Sequence, residues 1–255
     1  MTDVSVIIPC YNEKSNIAIT ITKICTFLND FASDYEVLVV DDGSTDNTAE
    51  IVENVMKMNP KVRLMKNPHK GKGFAVRSGV FDARANYILI CDADLSTPIE
   101  ELKRLMVWVK DNNFDIAIAS REGIGAARKG EPFYRHLMGR VFNVIVQLLV
   151  LPGINDTQCG FKLFKANVAK EVFGLSLLYG DSSKEIKTPK VTAFDVEILY
   201  IAKKLGYRVK EVPAAWEYGR TTRVNRVRDS FINFMDVLKV KVNDLKHLYP
   251  ERKTV

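Results

Sequence analysis

Two aspartates one residue apart, Asp92 and Asp94, follow directly on the apolar run Tyr87-Ile88-Leu89-Ile90-Cys91. The run has no polar alternation, which suits a central parallel strand buried on both faces. Ligands of open α/β sheets sit just beyond the carboxyl ends of their strands, so both carboxylates are expected at a ligand site. In an extended segment positions i and i+2 face the same way, which aims the pair at one point. Two carboxylates that close repel each other unless a cation lies between them. Hard oxygen ligands favour Mg2+ or Mn2+, ions that commonly hold phosphate oxygens too. Alone, the tripeptide reads as a solvated turn; its context reverses that.

Asp41 and Asp42 end a second apolar run, residues 37–40. A carboxylate there can hold a base N–H or a ribose hydroxyl. Lys70 and Lys72 stand in the glycine-bearing loop 67–73, from which they can reach phosphates. The spacing is not that of a P-loop. No G-x-G-x-x-G follows the first strand, which argues against a dinucleotide oxidoreductase.

These groups need a frame that brings strand ends together. Residues 4–10, 37–40, 62–65, 87–91 and 115–119 read as strands. Between them, Ile17, Ile21, Ile24, Leu28 and Phe31 are spaced as one face of a helix, and Ile99, Leu102, Leu105, Met106 and Val109 as another. Gly43 allows a tight turn, and Ser44, Thr45 or Asp46 can cap the helix that follows. This alternation predicts an open, doubly wound, largely parallel sheet flanked by helices.

After Ser120-Arg121 the pattern changes. A basic loop, 122–131, precedes a helix over 132–151 whose His136, Arg140, Asn143 and Gln147 share one stripe. Such a helix packs on the sheet by its apolar remainder or lies at a membrane interface. A turn at 156–162 leads to a short strand. The polar stretch 174–190 is long enough for a lid. Phe194, Ile198, Ile201 and Leu205 mark a helix, 208–216 a strand pair or bent strand. Residues 219–228 hold four arginines and no acid, and Val227, Phe231, Phe234, Leu238, Val242 and Leu245 form the apolar stripe of a last helix. The expected division is 1–218 as the main domain, with 219–255 packed on it. His69 and His136 read as structural or surface residues, and Asp195 and Glu197 as partners of nearby basic groups.

The 255 residues carry a formal net charge of +6, and residues 203–255 hold 13 Lys/Arg against 6 Asp/Glu. A basic C-terminal fifth points to anionic partners. Aromatic residues are not interleaved with its arginines, so no nucleic-acid partner is expected. Cys10, Cys25, Cys91 and Cys159 form no C-x-x-C pair, as in a reducing compartment. Met1-Thr2-Asp3 leads straight into a strand, so no signal peptide is expected. The most hydrophobic stretch, 141–151, is too short to span a bilayer. A protein peripheral to the cytoplasmic face of a membrane is expected.

Pro9-x-Tyr11-Asn12-Glu13, Asp41-Asp42-Gly43-Ser44-x-Asp46, Gly71-Lys72-Gly73, Asp92-Ala93-Asp94 and Ser120-Arg121 together resemble the ordered signature of GT-A-fold, family-two inverting glycosyltransferases. The stretches 156–164 and 193–197 resemble the dolichyl-phosphate β-glucosyltransferases, with polyprenyl-phosphate mannose synthases close behind. The resemblance implies a GT-A-type, Rossmann-like sheet. It also implies transfer of a hexose from a nucleotide sugar, UDP-glucose favoured, to a polyprenyl or dolichyl phosphate with inversion. Pro9, Tyr11, Glu13 and Asp42 would contact the nucleoside and Lys72 the phosphates, while Asp92 and Asp94 would hold Mg2+ or Mn2+. Arg121 and Arg140 would bind phosphate near the acceptor, and Asp156 would lie by the sugar or acceptor. Ser96 stands where mannose synthases often carry Gln. Relatives often have transmembrane helices, so membrane access here would come from surface elements or a membrane-anchoring subunit. Transfer to a sugar hydroxyl is the alternative within enzymes, and a non-catalytic nucleotide-sugar-binding regulator the alternative outside them.

Overall fold

In a computed structural model, which describes residues 3–180, 185–186, 193–218 and 226–251, the apolar runs form one seven-stranded sheet. Its strands are β1 (Asp3–Cys10), β2 (Asp34–Asp41), β3 (Val62–Lys66), β4 (Tyr87–Ile90), β5 (Ile116–Ser120), β7 (Lys162–Lys165) and β8 (Val209–Pro213). A separate parallel pair joins β6 (Ala127–Lys129) to β9 (Ala215–Glu217). The bend between β8 and β9 thus carries one chain segment from the main sheet to the small one.

The order across the main sheet is β3-β2-β1-β4-β7-β5-β8. Neighbours are parallel except around β7, which runs antiparallel to both β4 and β5. The expected open α/β sheet is therefore present, but β5 does not lie beside β4. A strand arriving some forty residues later separates them. That reversal serves the site. Lys162, at the start of β7, lies opposite Ile90, at the end of β4, so residues just before β7 reach the same sheet edge as Asp92 and Asp94.

Successive residues of a strand face opposite sides, and here both sides are covered. Ile7, Leu38, Val40, Ile88 and Ile90 pack with α3 (Lys72–Asp82), α6 (Ala166–Gly174) and α7 (Phe194–Lys204). Val6, Ile8, Val37, Val39 and Leu89 pack with α1 (Ile17–Phe31) and with α4 (Leu102–Met106), which a 3-10 turn precedes and a π turn prolongs. Burial on both faces is why these strands carry no polar alternation. Between β2 and β3 lies α2 (Thr48–Met58).

Helix α1 buries four of the five residues its spacing marked, Ile17, Ile21, Ile24 and Leu28, and leaves Phe31 half-buried. Helix α5 (Phe133–Leu149) is only partly inverted. Asn143 of its polar stripe is 4% exposed and Phe133 and Leu148 stand 81% and 80% exposed, yet Val146 is fully buried and Phe142 and Leu149 pack against the core. Packing by the apolar remainder thus holds for that side alone, and at the flank His136 pairs with Glu131 and Arg140 with Glu122.

Helix α8 (Arg226–Leu245) repeats the partial inversion. It buries Asn233, Asp236, Val237 and Val240 and leaves Phe231, Val242 and Leu245 of the expected stripe exposed. Asp236 accepts hydrogen bonds from Tyr179 and Lys239, which is what draws that side inward. The arginine side chains at 220–228 lie outside the described residues, as do residues 181–184 and 187–190 of the proposed lid at 174–190. No described helix is long and apolar enough to cross a membrane.

Candidate active site

The site gathers at the carboxyl ends of β1, β2, β4 and β5 and the amino end of β7. Residue 12 starts the framework. Asn12 has a positive φ of 56°, and its side chain accepts the Thr45 amide at 2.7 Å and the Asp46 amide at 3.2 Å. Its own amide donates to Ser44 Oγ at 2.8 Å. Asp41 takes the Ser44 hydroxyl, and Asp46 accepts the Thr48 amide at 3.0 Å. The loops after β1 and β2 are thereby latched together, with Asp46 acting as the cap of α2. Gly43, at φ 74°, lies so close to His69 that a Cβ would come 2.9 Å from its amide nitrogen.

Asp42 is buried and its carboxylate is fully engaged. It accepts the Lys70 amide at 2.9 Å and the Gly71 amide at 2.9 Å, and it meets His69 Nδ1 at 2.7 Å. Burial pushes its carboxyl above the ordinary range against the pull of these bonds. His69 in turn stacks on Tyr11, with ring centroids 4.0 Å apart and planes within 8°. Its Nε2 is buried without a partner among the described residues, as is Asn67 Nδ2. Pro9 is buried behind this pair, and Glu13 is half-buried and accepts a bond from Asn16 at 3.1 Å. Expected as a structural or surface residue, His69 is a structural partner of Asp42.

At the next strand end, β4 stops at Ile90, and the Leu95 amide closes a turn onto the Asp92 carbonyl at 3.1 Å. Asp92 and Asp94 therefore occupy a turn, not the extended segment expected. Asp94 is exposed, with its oxygens on the Ser96 amide (3.0 Å) and hydroxyl (2.9 Å). Asp92 holds the Lys72 ammonium at 2.5 Å. Burial works against the Lys72 charge, but Asp92, Asp195 and Asp94 outweigh it and hold the ammonium protonated above its usual range. Lys72 is also the first residue of α3, where a helix N-terminus favours anions.

No group of three or more His, Cys, Asp or Glu among the described residues is placed to share a metal. The donor set is still chemically suited to a hard divalent cation. Two carboxylates stand on one turn, one already holds a positive charge, and a diphosphate can complete the coordination.

Behind Asp92 lies Gly160, where any Cβ would run into the carboxylate. Nearby, Asp156 is fully buried and takes a bidentate grip from Arg121, Nε to Oδ2 at 2.7 Å and Nη2 to Oδ1 at 2.8 Å, with the Arg121 amide at 2.9 Å. Burial alone would raise the Asp156 carboxyl, yet the guanidinium brings it down to about 2. Arg121 lies over the Trp216 ring, 5.4 Å from its centroid. Trp216 lines the small cleft beside Asp92, Ser96 and Gly160. Arg140 reaches from α5 to Glu122 at 3.4 Å, and Arg128 joins Glu122, Glu131 and the Arg121 carbonyl.

Buried Lys162 pairs with Asp195, the basic partner expected. Glu197 has none among the described residues: it accepts bonds from Ser176, the amides of Leu177 and Leu178, and Tyr249. Of the site's residues, Trp216, Gly160 and Lys162 were given no role from the sequence. A lone tryptophan on a bent strand and a glycine in a turn carry no spacing signal of their own.

A family model, glycosyl transferase family 2, matches residues 5–173. A dolichyl-phosphate beta-glucosyltransferase of Dictyostelium discoideum is 32% identical over 252 residues, covering 93% of this chain and 73% of that one. Among solved structures, mannosyl-3-phosphoglycerate synthase from Rubrobacter xylanophilus aligns with a TM-score of 0.68 at 17% identity, covering 99% of this chain and 77% of the other. Glucosyl-3-phosphoglycerate synthase from Mycobacterium tuberculosis, in complex with Mn2+ and UDP-glucose, aligns at 0.63 and 14% identity, covering 95% and 78%.

Proposed function

The chain belongs to glycosyl transferase family 2, and on that footing we propose that it transfers glucose from UDP-glucose to a dolichyl or related polyprenyl phosphate, with inversion. One observation carries the choice of acceptor. Around the Asp92/Asp94 turn, Asp156 is committed to Arg121 and Asp195 to Lys162, and neither offers a free base. A sugar hydroxyl needs such a base. A phosphomonoester, with a second pKa of about 6, arrives largely ionised. The glucosyltransferase relative supports the same acceptor.

In this reading Tyr11 and His69 form a platform for the uracil ring, with Pro9, Glu13 and Asp42 shaping the pocket around it. Asp92 and Asp94 would hold a divalent cation, Mg2+ or Mn2+, which neutralises the diphosphate and its leaving charge. Lys72, with the N-terminus of α3, draws phosphate oxygens and gives up its bond to Asp92 as it does so. Arg140 and the exposed edge of Arg121 receive the acceptor phosphate, and Asp156 fixes Arg121 in orientation. An acceptor oxygen attacks the anomeric carbon from the face opposite UDP, forming one C–O bond as the other breaks. Most of the barrier is lowered by bringing two anions together in line. The lipid acceptor places the reaction at a membrane surface, at the cytoplasmic face, with or without a membrane-anchoring subunit.

The test is a donor screen with Mn2+ or Mg2+ and a short polyprenyl phosphate, read as lipid-linked sugar. Glucose transferred from UDP-glucose is the expected product. Transfer to glycan hydroxyls alone would replace this reading, and binding without turnover would exclude catalysis.

A further inference from the structure

We propose that the outward apolar face of α5, continued on α8, inserts into the interface of an anionic bilayer. The inference rests on the lipid-phosphate reading of the acceptor. Phe133, Leu137, Val141, Val144 and Leu148 follow one another at helical spacing and are all exposed. Every titratable residue of α5 other than half-exposed Tyr134 lies off this stripe: Arg135 donates to Tyr218, His136 pairs with Glu131 and Arg140 with Glu122. The face therefore offers hydrocarbon and no ion pair for a partner protein to match.

Helix α8 packs beside α5 and also turns Phe231, Val242 and Leu245 outward. The charges that accompany its described part are positive at the surface. Lys246 is exposed, as is Lys239, whose ammonium pairs with buried Asp236, and Asp244 is held by Lys204. Exposed lysines beside an apolar stripe complement an anionic headgroup layer, their stems covering apolar surface while the ammonium stays in water.

Geometry ties this face to the chemistry. A helix is about 10 Å across, and interfacial helices sink about 5–10 Å into the headgroup boundary. Arg140 flanks the stripe, two turns after Phe133 and one before Val144; it meets Glu122, and Glu122 meets Arg128 on the Arg121 carbonyl. An inserted α5 would hold these phosphate-receiving cations at the depth of a lipid phosphate.

The experiment uses the full chain and sedimentable vesicles of equal parts phosphatidylcholine and phosphatidylserine. Wild type should co-sediment, and bind phosphatidylcholine alone more weakly. The triple variant Phe133→Ser, Leu137→Ser, Leu148→Ser should lose about a hundredfold or more in partition. Ile19→Ser, at an exposed apolar position on α1, should bind as wild type does. Glucose transfer to a short, water-soluble prenyl phosphate should be the same in all three proteins. Wild type that glucosylates this acceptor yet ignores the vesicles overturns the proposal, and so does a triple variant that still sediments. A lipid-free dimer that the triple substitution converts to monomer would instead assign the face to a second copy of the chain. Vesicle binding lost in the triple variant, with no transfer to any prenyl phosphate, would support the membrane face and sink the acceptor reading.

Discussion

Helices α1 and α5 carry the same kind of amphipathic pattern and use it differently: α1 turns its apolar face inward, and α5 divides its apolar residues between core and surface. Beneath α1 the sheet presents Val6, Ile8 and Leu89, so its isoleucines dock and its polar side meets water. On α5 only Val146 and Asn143 are buried, His136 and Arg140 pair at its flank with Glu131 and Glu122, and the Phe133–Leu148 side meets water. An amphipathic pattern defines two faces; the neighbour decides which one is inside. The consequence is a division of labour. The half built on β1–β4 is held mainly by hydrocarbon, and the half around α5 adds to its apolar core the buried charge pairs Arg121–Asp156 and Lys162–Asp195.

That division can be broken or sharpened in four ways. The largest effect lies in turnover. Asp94→Ala, on an exposed turn of the first half, should cut transfer by about a thousandfold or more with little change in melting temperature, and EDTA should mimic it in wild type. Metal-independent transfer would remove the assignment. Next, Arg121→Ala strands the buried Asp156 charge and should cost about 3–5 kcal/mol in denaturant unfolding. A loss under 1 kcal/mol would deny ion pairs their role in the second half.

The third contrast is direct. Ile24→Ala in α1 should cost about 2–5 kcal/mol, whereas Leu137→Ala in α5 should stay within about 0.5 kcal/mol. Equal losses would mean that the Leu137 side of α5 is not outward in solution. The smallest effect is a pH dependence. The Asp156 carboxyl sits at about 2 in the folded chain against an ordinary 3.8. Its contribution is therefore present above about 4 and disappears as pH falls toward 2, a loss of about 2 kcal/mol. Asp156→Asn should lack that acid limb in a pH titration of stability.

Much of the first half was legible in the sequence because its signals are local. Uninterrupted apolar runs gave β1, β2 and β4, and the 4-3-4-3 spacing gave α1. The aspartates at the ends of β2 and β4 marked the site for the same reason. What escaped depends on distant partners. The strand Lys162–Lys165 has lysine at both ends and too few residues for a pattern, so its place between β4 and β5 could not be read. The partial inversion of α5 and α8 needed knowledge of the surfaces beneath them. Asp42 shows the same limit within the site. Its position at a strand end was plain, but its capture of His69 and the amides of Lys70 and Gly71 follows from how loop 67–71 folds back.

The insertion of β7 has a consequence for how the chain is made. While it emerges from a ribosome, β4 is complete long before Lys162–Lys165, yet its free edge has no partner until that segment appears. Strand β5 cannot shield it, since β5 joins the sheet only through β7 and β8. For that interval a nascent chain shows an unpaired edge flanked by Ile88, Leu89 and Ile90, the kind of surface that other chains extend and chaperones cover. The strand that completes the catalytic edge is also the one that ends this exposure.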